Sequence, residues 1–214
     1  MKRAPLWQYI LVHALAIAPL ALTAYEYVTD TLPIVLDRHL IIRFGAVGLA
    51  FLVASFSVTP LNIVSGKTSF VPLRRWLGVY GFCYLVLHFL VYAWLSNGFD
   101  WALIWRDIGE RRAMSVGLLA LALLAPLALT STNGWQKRLG KRWKLLHRLV
   151  YIAVPLSILH YFWLERDIQD WVWIYALGVA VLFVVRLPAL RRAITRWRQQ
   201  SKNSMDHEKS EVNS

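Results

Sequence analysis

Residues 141–163 read KRWKLLHRLVYIAVPLSILHYFW, and this stretch decides the fold. Lys141, Arg142 and Lys144 open it, and from Leu149 onward almost every residue is apolar. About 20 apolar residues cross a ~30 Å hydrocarbon core as a helix, so the segment reads as a membrane span with a basic entrance. It also carries two imidazoles, His147 and His160. Ionisable side chains within a membrane are costly and mark function by default. The rest of the chain has to explain them.

The surroundings agree with a membrane protein. Of the 214 residues, 57% are hydrophobic, and the mean hydropathy is +0.45. A soluble domain of this size cannot bury so much apolar surface. Spans are expected at 7–28, 40–60, 76–97, 113–131, 145–164 and 171–188, giving an all-α, six-helix integral membrane bundle over residues 1–200. Lys2 and Arg3 precede the first run, but no small-residue cleavage site follows it, so it is expected to remain as a helix. Residues 201–214, SKNSMDHEKSEVNS, are polar and expected to form a disordered cytoplasmic tail.

The net charge of +12 suits lipid-facing cytoplasmic loops better than nucleic acid. Lys67, Arg74, Arg75, Lys137, Arg138, Lys141, Arg142 and Lys144 fall on the same side as both termini. Glu26, Asp30, Asp37, Asp100, Asp107, Glu110, Glu165, Asp167 and Asp170 fall on the other, mixed with Arg38, Arg106, Arg111, Arg112 and Arg166. The positive-inside rule then puts both termini in the cytoplasm, and the acids form an outer surface for solvation or for docking a partner. The single cysteine, Cys83, permits no internal disulfide. No phosphate loop, dinucleotide fingerprint, internal repeat or broken-helix pair stands out.

Five histidines lie in or beside the spans. His88 in span three and His160 in span five share one half of the membrane on different helices, where they could close on one haem iron from opposite faces. His147 lies about 20 Å from His160 along span five, a spacing suited to a second cofactor in the other leaflet. On an ideal helix the two bearings differ by about 140°, and Pro155 between them is the expected source of a correction. Thirteen residues before His88, where a fourth histidine would complete two haem sites, stands Arg75 with Arg74 beside it. Arginines hold propionates or phosphates well. The basic-side group could therefore be a haem on His147 alone, a haem shared with His13, or a flavin. His39 and Arg43 lie near the opposite interface, as candidate contacts for a propionate or a quinone head group.

The segments RRWLGVYGFCYLVLHFLVY, LALTSTNGWQKRLGKRWKLLHRLVY and LHYFW resemble the haem-binding membrane subunits of periplasmic protein-methionine-sulfoxide reductase systems, within the ferric-reductase-like transmembrane superfamily. The resemblance spans roughly residues 7–198. It implies haem b, one or two per chain, and FMN. It implies residence in the bacterial inner membrane, with electrons drawn from the quinone pool or a cytoplasmic flavin reductase. It implies delivery to a periplasmic molybdopterin enzyme that reduces methionine sulfoxide in oxidised proteins, so substrate chemistry lies in the partner. By motif, His88 and His160 match the outer haem ligands, His147 the inner cofactor ligand, and Arg74 and Arg75 the basic approach to span three. A small transporter or proton relay using intramembrane His and Arg is the alternative, and a stand-alone reductase would need a nicotinamide site that is not visible.

Overall fold

The computed structural model describes residues 4–164 and 169–212, and every regular element among them is helical. Helix α1 runs Leu6–Val28, α2 Leu36–Ser65 and α3 Leu73–Val91, the last continuing as a π turn over Tyr92–Ser96. A short α4, Trp101–Glu110, leads into α5, Arg112–Leu129. Two basic helical turns follow, α6 at Asn133–Leu139 and α7 at Lys141–Leu146, and a 3-10 segment at His147–Leu149 joins them to α8, Val150–Leu164. Helices α9, Gln169–Val185, and α10, Pro188–Val212, complete the described chain.

Among the described residues, five helical segments are long and apolar enough to cross a membrane, and a sixth span arises if α9 and the start of α10 count as one broken element. The break is a 73° bend at Leu187–Pro188, where proline removes a helical donor. Beyond it α10 sets Arg191, Arg192, Arg196 and Arg198 among Leu190, Ile194 and Trp197, the composition of a helix lying along a membrane surface. Arg198 donates to the carbonyl of Ile63 at 3.1 Å, tying α10 to the last turn of α2. That turn ends on Gly66, whose φ of +71° is the left-handed geometry glycine permits at a helix stop. Helix α10 continues through residues 201–212, which composition marks as disordered; Lys, Met and Glu there are strong helix formers.

The tightest pairings are α2 with α3 and α5 with α8. Small residues explain the first. A Cβ at Gly81 would lie 3.0 Å from the backbone nitrogen of Leu52, and one at Gly48 would lie 2.9 Å from the Leu85 side chain. Helix backbones in a membrane approach this closely only through such small-residue seams. Leu49, Leu52, Phe56, Leu124, Leu127, Ala153, Val154 and Ile158 then form one buried core from α2, α5 and α8. Helix α1 is the peripheral member. It is held by the Tyr84 hydroxyl, which donates to the Ala16 carbonyl, and by an ion pair between Glu26 and Arg43 of α2.

The connection between α3 and α5 is more ordered than a loop. Asp100 caps α4 by accepting from the backbone of Ala102 and Leu103 at 3.0 and 3.1 Å. Ile104 and Asp107 are buried against the bundle, while Trp101 and Trp105 face outward. Replacing Gly81 by alanine should lower stability by about 1–3 kcal/mol, because the Leu52 backbone cannot yield to the added methyl. Thermal unfolding of the purified protein in detergent checks this.

Candidate haem site

His88 and His160 meet between α3 and α8, with ring centroids 6.0 Å apart and planes at 88°. Each ring is oriented by a bond to a different helix. His88 Nδ1 donates to the Ile41 carbonyl of α2 at 2.8 Å, and His160 Nδ1 donates to the Ala113 carbonyl of α5 at 2.6 Å. A carbonyl can only accept, so both Nδ1 atoms carry the proton and both Nε2 atoms keep the lone pair. Neutral imidazole with a free Nε2 is the form that ligates metals.

Both rings line a cavity of about 870 Å³, the size range of a cofactor site. Its wall is apolar, from Leu49, Leu85 and Leu121 among others, and its mouth holds Arg38, Arg111 and Arg112. Asp107 sits at this mouth, where it accepts from Tyr92 at 2.9 Å and lies 3.7 Å from Arg111. Asp37 accepts from Ser96 at 2.8 Å. Tyr92 and Ser96 belong to the π turn, a distortion that often marks functional sites.

These residues fit a haem. Two iron–imidazole bonds of about 2 Å each, as for imidazole on zinc, plus the two ring half-widths, fill the observed 6.0 Å between centroids. Among the described residues, no three His, Cys, Asp or Glu side chains gather as a metal-ion donor set. A porphyrin needs only the two axial donors present. The mouth arginines suit carboxylates. They were not singled out by sequence, because Arg38, Arg111 and Arg112 read there as loop charges.

At the basic end, His147 Nδ1 donates to the Trp143 carbonyl at 3.1 Å, and its ring stacks on that indole at 3.9 Å. Arg74 donates to Thr59 at 3.3 Å and Arg75 to Asn133 at 3.0 Å. The 3-10 segment beginning at His147 turns about 120° per residue instead of 100°. It rewinds the helix by roughly 60° and brings the two bearings to about 80° apart. This rewinding lies next to His147, whereas the sequence pointed to Pro155 for it.

The other candidates lie elsewhere. His13 Nδ1 shares a hydrogen bond with the Tyr80 hydroxyl at 2.7 Å, and its ring stands edge-on to Trp76, which sets it against α3 rather than opposite His147. Arg43 binds both Glu26 oxygens, at 2.6 and 2.8 Å, and also Thr23. His39 Nε2 lies 3.8 Å from Glu26. Both residues thus serve the α1–α2 contact, and the cavity wall does not include them. Glu26, grouped by sequence with the outer-surface acids, stands in the last turn of α1 and faces α2. Asp37 and Asp107 are likewise engaged within the bundle rather than displayed. Glu165 and Asp167 lie outside the described residues.

Comparison with known proteins agrees with this geometry. Residues 44–158 match the family described as ferric reductase like transmembrane component. A protein of Rhodospirillum rubrum named "Protein-methionine-sulfoxide reductase heme-binding subunit MsrQ" is 45% identical over 152 residues, covering 70% of this chain and 73% of its own. One of the same name from Herminiimonas arsenicoxydans is 42% identical over 159 residues, covering 73% and 70%. No solved structure matches. The chain, with paired histidines inside an apolar helical bundle, belongs to the ferric-reductase-like transmembrane family, as a membrane subunit of the MsrQ type.

Proposed function

We propose that this chain is a haem-b electron-transfer subunit of the bacterial inner membrane. It takes electrons from the quinone pool or a cytoplasmic flavin reductase. It passes them to a periplasmic molybdopterin-containing reductase that repairs methionine sulfoxide in oxidised proteins. The observation that carries this reading is the His88–His160 pair, two imidazoles held 6.0 Å apart with both Nε2 lone pairs free, on the wall of one cavity. The names of the relatives support the haem and the methionine-sulfoxide system. Donor, partner chemistry and FMN are the finer part of the proposal.

A bound haem supplies a one-electron carrier whose potential is set by its axial ligands and surroundings. The chain's own residues do the rest. His88 and His160 would hold the haem through their Nε2 nitrogens, and the backbone carbonyls of Ile41 and Ala113 keep them in the ligating tautomer. Leu49, Leu85 and Leu121 exclude water from the cavity wall. Arg38, Arg111 and Arg112 hold carboxylates at the mouth. At the basic end His147, Arg74 and Arg75 form the second cofactor site, taking either a haem or the phosphate of FMN. Lys and Arg crowd that end, which by the positive-inside rule supports a cytoplasmic location for it and for both termini. The mouth of the main cavity then faces the periplasm, where the partner docks.

Replacing His88 or His160 by alanine should abolish the bis-imidazole b-type spectrum of the folded protein. The loss should exceed the 10–100-fold typical of removing only an outer partner of a ligand. A reduced-minus-oxidised spectrum with haem quantified per chain checks it, and full haem content in both variants would refute the ligand assignment. Arg38→Gln combined with Arg112→Gln should weaken hemin binding about a hundredfold or more, as each charge-assisted bond contributes about 1.5–3 kcal/mol. Arg43→Gln should leave hemin affinity unchanged. Hemin titration of the apoprotein separates the two.

A further inference from the structure

The two haem-ligand histidines are held by the same device built twice. On α2, Ile41 supplies the accepting carbonyl and Gly45 stands four residues later; on α5, Ala113 supplies the carbonyl and Gly117 stands four residues later. In each case the histidine follows its carbonyl by 47 positions. Ile41, Gly45 and His88 therefore recur as Ala113, Gly117 and His160 at a constant offset of 72 positions (41 to 113, 45 to 117, 88 to 160). The α2–α3 and α5–α8 pairs are two copies of one half-site, although their sequences share too little else for a repeat to be read directly.

The glycines have a physical reason. Inside a helix the carbonyl of residue i already accepts from the N–H of residue i+4. Its second lone pair can take an outside donor only if the side chain at i+4 leaves room. A Cβ at Gly45 would lie 2.9 Å from His88 Nδ1 and 3.2 Å from its Cε1. A Cβ at Gly117 would overlap the His160 ring, with Cε1 at 2.7 Å. Neither glycine has a left-handed backbone; what each supplies is space against a ring.

We infer that Gly45 and Gly117 are positioning residues for the axial ligands: each seats a histidine ring flat against a helix so that Nδ1 reaches the carbonyl, and together they hold the two imidazole planes near perpendicular. This rests on the haem reading above. Two consequences follow for the bound iron. Perpendicular ligand planes leave its two π-type d orbitals nearly degenerate, which gives a strongly anisotropic low-spin ferric signal. Donation from Nδ1 to a carbonyl makes the imidazole more basic, which favours ferric iron and lowers the potential.

The test compares full-length wild type with Gly45→Ala, Gly117→Ala and, as a control, Gly178→Ala, whose Cβ would meet nothing within 4 Å. Low-temperature electron paramagnetic resonance and redox titration are read on each. In Gly45→Ala and Gly117→Ala the anisotropic signal should move toward a rhombic one. The potential should rise, with about a tenfold change in the ferric-to-ferrous ratio, or ~59 mV; Gly178→Ala should match wild type. Unchanged signal and potential in a Gly45→Ala protein that keeps its haem would overturn the inference. Should Gly117→Ala not accumulate, Gly45→Ala, with the milder contact, carries the test alone. Wild type that binds no haem would instead overturn the haem reading itself.

Discussion

Two imidazole N–H groups, each given to a backbone carbonyl of a neighbouring helix, are the constraint on which the centre of this bundle depends. In hydrocarbon no water can take those donors, and an unsatisfied polar group there costs several kcal/mol. The helical carbonyl is the available acceptor, since its second lone pair is not used within the helix. Meeting that need sets the depth of α3 relative to α2 and of α8 relative to α5. It also turns both Nε2 lone pairs into the shared cavity. The packing of Gly48 and Gly81 across the α2–α3 seam follows the same demand, because the bonds form only when the backbones come close.

The two ends of the bundle solve their polar problem differently. At the acidic end, carboxylates are matched within the structure: Glu26 by Arg43, Asp37 by Ser96, and Asp107 by Tyr92. At the basic end, cations rest on carbonyls and aromatic faces. Arg186 donates to the Leu182 carbonyl at 3.0 Å and to the Phe56 carbonyl, with its guanidinium 3.8 Å over the Phe56 ring. The duplication also ends unequally there. The 72-residue offset that relates His88 to His160 relates Arg75 to His147, so one copy carries a ligand-type side chain at its basic end and the other a guanidinium. A symmetric scaffold thus presents one complete imidazole pair and one site of mixed chemistry.

Much of this was open to reading from the chain alone. Apolar runs of membrane length, the charge asymmetry between loops, and the common depth of His88 and His160 all follow from local composition and the fixed rise of a helix. Arg43 and His39 could not be placed that way. Their depth suited a cofactor, and only the approach of α1 shows that Glu26 claims both. Gly45 and Gly117 were equally hidden, since an isolated glycine in an apolar helix has many meanings until the ring beside it is seen. The repeat is not legible in the sequence because its matched positions are a carbonyl, a missing side chain and one histidine, and two of those three leave no side-chain signature.

What the sequence determined by itself is therefore the element list and the chemistry: membrane helices, their polarity, and imidazoles at depths that demand partners. Tertiary structure decided which partners they have. It put His88 and His160 face to face, moved Arg38, Arg111 and Arg112 to the cavity mouth, set His13 against Tyr80, and rewound the chain at His147. The reason is that hydropathy and helical rise are local properties of consecutive residues. The bearing of a side chain around its helix, and the carbonyl waiting across the seam, exist only once helices distant in the chain have packed.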